Sequence, residues 1–177
     1  MGRYAAFLRG MNLGKRRIKN TELVANFERM GLLNVEAFLA SGNVAFQGRG
    51  SARALEVTIE RELQAALNYQ VPTFVRTEEE LRAIAKATPF AARKGRPREG
   101  KLQVALLKTA PSTEAAQGLR AFESVDDWLA IIGQELYWWP SGGISESEID
   151  WKGIDTLLGA MTIRTHRTME RLVTKCF

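Results

Sequence analysis

A chain of 177 residues with 25% charged and 45% hydrophobic side chains has the composition of a folded globular protein, long enough for one core or two small ones. Its 25 Lys and Arg against 20 Asp and Glu give a net charge of +5, and fourteen of the cations fall in three clusters: Arg9, Lys15, Arg16, Arg17 and Lys19; Arg93, Lys94, Arg96, Arg98 and Lys101; and Arg164, Arg167, Arg171 and Lys175. One cysteine, Cys176, and one histidine, His166, exclude an intrachain disulfide and a protein-only zinc site; with no apolar run long enough to cross a bilayer, a cytoplasmic protein without metal, cofactor or membrane contact is expected.

Tyr4–Leu8 is short, uncharged and apolar throughout, the pattern of a central strand covered on both faces. It empties into Arg9-Gly10-Met11-Asn12-Leu13-Gly14-Lys15-Arg16-Arg17. Two glycines there open backbone conformations closed to other residues, and the cations crowd the start of a helix, a setting suited to phosphate. The nucleotide-hydrolase phosphate loop is excluded: three residues rather than four separate Gly10 from Gly14, and Arg16 stands where a magnesium-binding hydroxyl is needed. On spacing alone the segment serves equally well as a plain strand-to-helix turn with a solvated basic rim.

Thr21–Gly31 carries Leu23, Val24, Phe27 and Met30 on one helical face and closes at Gly31. Val35–Ala40 and Val44–Phe46 form a hairpin around Ser41-Gly42-Asn43. Ser51–Asn68 is a longer helix capped by Ser51, and Pro72–Arg76 a fourth strand whose proline suits an edge. Strand, helix, strand, strand, helix, strand is the split unit of ferredoxin-like folds. Its crossover makes the first two strands parallel and inserts the third, antiparallel, between them. The basic loop, the 41–43 turn and the 69–71 approach to the fourth strand should therefore meet at one rim.

Thr77 caps a helix, Glu78–Ala87, whose three leading acids read as partners of the helix dipole rather than as metal ligands. Thr88–Gly100, rich in Pro, Gly, Lys and Arg, reads as an exposed, mobile linker. The pattern then repeats loosely: a strand at 102–107, a helix at 112–122, a hairpin of 128–132 and 136–139, a helix at 150–158, a strand at 161–163, and a terminal helix with Met169, Leu172, Val173 and Cys176 on one face. A duplication is expected, residues 1–88 and 101–177 flanking a basic linker, 89–100. Trp138 and Trp139 point to opposite faces of the second hairpin, one into the core and the other to an interface or to solvent, where an indole can stack a base or a sugar.

Tyr4-Ala5-Ala6-Phe7-Leu8-Arg9-Gly10-Met11-Asn12-Leu13-Gly14, then Ser41-Gly42-Asn43-Val44, and a closing Thr162-Ile163-Arg164-Thr165 with Thr168 and Leu172, resemble the bacterial domain of unknown function 1697 family over nearly the whole chain. The resemblance implies a two-part α+β fold with ferredoxin-like halves, helices packed on antiparallel sheets. It carries over the motif positions Arg9, Gly10, Asn12, Gly14, Ser41, Gly42, Asn43, Arg164 and Thr168, with no catalytic role attached. In one departure, Thr165 follows Arg164 where members usually carry an asparagine.

Three expectations of function follow. The first is a binding module for a phosphate-bearing partner, nucleic acid or nucleotide, in which Arg9, Lys15 and Arg17 meet phosphate, Asn12 and Asn43 give directional hydrogen bonds, and Arg164 contributes from the second half. RNA-binding ferredoxin-like domains display aromatic rings on their central strands, and here only Tyr4, Phe7 and Phe46 are available. The second is an enzyme acting on a small anionic substrate at the same rim, which lacks a visible general base, since His166 lies ten residues from Cys176 on one terminal helix and would not face it well. In the third the motif is structural, its asparagines satisfying buried backbone groups.

Overall fold

The computed structural model describes residues 1–11, 18–39, 42–95 and 99–177. They form two compact units, one of residues 1–83 with 171–177 and one of residues 84–170.

The first unit contains β1 (Gly2–Leu8), α1 (Asn20–Arg29), β2 (Leu33–Phe38), β3 (Asn43–Gly48), α2 (Ala52–Leu67) and β4 (Thr73–Thr77), and α3 (Glu78–Lys86) starts within it. Its sheet has the order β2-β3-β1-β4 with every neighbouring pair antiparallel. Alternate residues of a strand take opposite faces, and so Tyr4, Ala6 and Leu8 of β1 line up with Val44, Phe46 and Val75. Leu23 and Phe27 of α1 and Leu55, Ile59 and Leu63 of α2 close over that face to make the core. Ser51 Oγ accepts from Ala54 N at 3.2 Å, the expected cap of α2. Thr77 and Glu80 form a reciprocal capping box: Glu80 Oε2 accepts from Thr77 N at 2.8 Å and Thr77 Oγ1 from Glu80 N at 3.2 Å. The strand expected to run to residue 40 stops at Phe38, because Leu39 takes φ +60° and breaks the extended path.

The second unit repeats that order with β5 (Gln103–Leu107), α4 (Thr113–Gly118), β6 (Asp127–Ile132), β7 (Glu135–Pro140), α5 (Trp151–Leu158) and β8 (Met161–Thr165). α6 (His166–Cys176) begins here, and its last residues belong to the first unit. The strands lie in the order β6-β7-β5-β8, again antiparallel throughout. The molecule is thus α+β, with two four-stranded antiparallel sheets. The helix expected over 112–122 is shorter: after Gly118, a poor helix former, the chain tightens into a 3₁₀ turn at Leu119–Phe122 that delivers Leu119 to the core. Within the stretch expected to be an open linker, Phe90 is buried. No helix among the described residues is long and apolar enough to cross a membrane.

Candidate functional site

Two main-chain hydrogen bonds join the end of β1 to the hairpin corner and to the approach to β4. β1 lies between β3 and β4, so its C-terminal end meets the start of both, Phe7 opposite Asn43 and Leu8 opposite Thr73. Leu8 N donates to Gly42 O at 2.8 Å, tying the end of β1 to the hairpin corner, and Arg9 N donates to Pro72 O at 2.8 Å, tying it to the approach to β4. Arg9 is exposed at that junction. Gly10, at φ +75°, turns the chain out of the strand, and Met11 returns its side chain to the core as an anchor. Gly42, at φ +72°, sits so close to β1 that a Cβ there would lie 3.1 Å from Leu8 Cβ. The start of α1 adjoins the corner: Asn20 Nδ2 donates to Leu39 O at 3.4 Å, and Lys19, in the capping position, offers no acceptor to the first amides of the helix.

Asn43 faces the other way. It is wholly buried, at 0% exposure, and its Nδ2 donates to Phe38 O at 3.1 Å, so that it closes the hairpin from inside. Asn12, Gly14, Lys15, Arg17 and Ser41 lie outside the described residues. Arg164 and Thr168 belong to the second unit. Arg164 Nη1 donates to Thr162 Oγ1 at 2.9 Å and to Ile163 O at 2.8 Å, and burial pushes the guanidinium pKa down to about 10. Thr168 N donates to Thr165 Oγ1 at 3.1 Å, so Thr165 caps α6. Asparagine and threonine are both good caps, which gives the departure from the family pattern a physical reading.

Sequence reasoning missed the buried polar residues of β4. Glu56 Oε1 on α2 accepts from Val75 N at 2.9 Å and Glu60 Oε1 from Thr73 N at 2.8 Å, so two helix carboxylates satisfy amides of β4. Arg76, 1% exposed, stands opposite Ala5 as Arg164 stands opposite Val104, and each arginine is followed by a threonine that caps a helix. The signal was present as Val75-Arg76-Thr77 and Ile163-Arg164-Thr165. Of the two adjacent indoles, Trp138 is the core one, its Nε1 donating to Asp127 Oδ1 at 2.7 Å. Trp139 is half-buried and donates to Gly100 O at 2.9 Å. His166 Nε2 lies 2.9 Å from Ile84 O, holding that side chain to the backbone. Among the described residues no group of three or more His, Cys, Asp or Glu is placed to hold a metal ion.

A family model described as protein of unknown function (DUF1697) matches residues 1–137. Among solved structures, the conserved bacterial protein SP0830 from Streptococcus pneumoniae is similar, with a TM-score of 0.78 and 20% identity over 98% of this chain and 97% of that one. At that identity the likeness speaks for the fold. No curated protein matches the sequence.

Proposed function

The chain belongs to the DUF1697 family, which lends it no assigned chemistry, and from its own residues we propose that it is a binding module for a phosphate-bearing partner, nucleic acid or nucleotide, held at the rim of the first unit. What carries the reading is the pair of bonds from Leu8 N to Gly42 O and from Arg9 N to Pro72 O, which fix the backbone at an exposed arginine. A guanidinium presents a planar fork of donors that matches phosphate oxygens. The first turn of α1, without a side-chain cap from Lys19, adds a favourable end for an anion. Asn12, Lys15 and Arg17 join Arg9 in this reading as further donors, whereas buried Asn43 holds the corner in shape. Each half is read as ferredoxin-like, since the strand order and antiparallel pairing of the first sheet recur in the second.

The test is fluorescence anisotropy with a labelled single-stranded oligonucleotide over a range of salt. The logarithm of the affinity should fall by about 0.7 per tenfold rise in salt for each phosphate neutralised, and Arg9→Ala should flatten that slope by about the same amount in a chain that circular dichroism shows to be folded. An affinity indifferent to salt, or untouched by Arg9→Ala, overturns the proposal. A structural reading of the motif is favoured by the burial of Asn43. Under it, Asn43→Ala costs about 1–3 kcal/mol of stability by removing the buried amide that donates to the Phe38 carbonyl, and no phosphate compound raises the melting temperature.

A further inference from the structure

The second unit carries a groove of about 520 Å³ whose walls include Pro89, Phe90, Arg93, Leu102, Trp139 and His166. Its volume falls within the ordinary range of small-molecule sites. Strand alternation makes the aromatic wall. Trp138 enters the core with Leu129 and Leu136, so Trp139 and its cross-strand partner Trp128 come out on the opposite face of the sheet. Phe90 lies against both, ring centroids 5.8 Å from Trp128 and 6.0 Å from Trp139. The indole N–H of Trp139 is engaged by Gly100 O, and what that side chain offers a ligand is its ring carbons.

The polar equipment of the groove is sparse. Among the described residues lining it, Arg93 and His166 are the only ionisable side chains and Thr88 the only hydroxyl. Arg93 is held from two sides: Nη2 donates to Glu123 Oε1 at 2.6 Å, and the guanidinium lies 5.1 Å from the ring centroid of Trp128 and 5.6 Å from that of Phe90. Glu123 is fixed in turn by Leu129 N at 3.0 Å. One nitrogen of the guanidinium is thereby engaged, and the others have no acceptor among the described residues, while the side chain stays 41% exposed.

We propose that this groove binds a small planar aromatic carboxylate, its ring laid against Trp139 and Phe90 and its carboxylate taken by Arg93. The site calls for a single negative charge. A dianionic phosphate would sit beside the carboxylate of Glu123, and the sugar of a nucleotide would find only Thr88 to pair its hydroxyls, leaving polar groups unmatched against an apolar wall. This ligand is distinct from the phosphate proposed for the first unit.

The experiment is a titration of the full-length, nitrogen-15-labelled chain with naphthoate, with naphthylmethanol as the uncharged analogue and adenosine monophosphate as the nucleotide, following the four indole N–H cross-peaks. Naphthoate should shift Trp139 and Trp128 and leave Trp138 and Trp151 in place. Naphthylmethanol should bind at least tenfold more weakly, as should naphthoate to Arg93→Gln; Trp139→Leu should abolish the site, and Arg9→Ala should leave it unchanged. Circular dichroism checks that each variant folds, and the two naphthyl probes on the unsubstituted chain read the charge requirement without any variant. Naphthoate that moves neither Trp139 nor Trp128, or that binds no better than naphthylmethanol, overturns the proposal, and adenosine monophosphate binding as tightly at Trp139 overturns the choice of a carboxylate.

Discussion

A single absent side chain shapes the corner of the rim. Gly42 stands at φ +72°, and a Cβ there would meet Leu8 Cβ at 3.1 Å and Leu8 O at 3.3 Å, tight contacts with a strand that is itself buried. Gly31 has nearly the same backbone, φ +78°, with nothing within 4 Å of its missing Cβ. The two glycines therefore separate conformation from contact. Gly31→Ala should lose about 1 kcal/mol, the usual cost of a left-handed alanine, and Gly42→Ala about 2–3 kcal/mol, as Leu8 must also give way. Urea titrations of the two variants check this, and equal losses would mean that the close approach costs nothing. Gly42 also accepts from Leu8 N, so the same substitution should weaken oligonucleotide binding, which Gly31→Ala should not.

At the scale of elements, β7 carries a tyrosine in the middle of the second sheet. Tyr137 is 1% exposed, and burial first, then the charge of Glu135, drives its hydroxyl pKa far above the ordinary value of 10.0. Above pH 10 the unfolded chain gives up this proton while the folded chain keeps it, so Tyr137 makes stability fall with rising pH. Arg164 on β8 acts with the opposite sign: with its pKa lowered to about 10 from 12.5, the folded state releases a proton that the unfolded state still holds, and between those values stability rises with pH. Comparing Tyr137→Phe with the unsubstituted chain isolates the first effect. The variant's loss of stability above pH 10 should be shallower by up to about 1.4 kcal/mol per pH unit, read by urea titration at stepped alkaline pH; parallel curves would show that the phenol ionises freely in the native state. The elements themselves were largely legible, because helix periodicity and the caps at Ser51 and Thr77 are local signals. What depends on distant contacts was not. The inward turn of Asn43 needs the Phe38 carbonyl, which only the hairpin register supplies, and the aromatic groove needs Phe90 to arrive against indoles 38 and 49 residues further along.

The whole molecule departs from a simple tandem of halves in where the last residues go. Residues 171–177 belong to the unit formed by residues 1–83, and side chains throughout that unit hold them. Arg3 donates to the carbonyls of Phe177 and Cys176 at 3.1 and 2.5 Å, and Arg82 to that of Phe177 at 2.6 Å. Lys175 pairs with Glu36 at 2.6 Å, and Arg171 and Lys175 lie over the ring of Phe38. Leu172 is fully buried. The ion pairs are partly exposed and add little each. The buried leucine and the ordered main chain carry most of the effect, and removing them should cost at least about 2 kcal/mol. A chain ending at residue 170 should therefore melt lower than the full chain, and its loss of stability should be uneven. In hydrogen exchange the amides of β1, β2 and β3 should lose protection first, while those of β5, β6 and β7, in a unit that keeps all of its residues, should hold theirs at the same temperature. If β5–β7 open first, or both sheets open together, the terminal segment is not a stabilising part of the first unit alone.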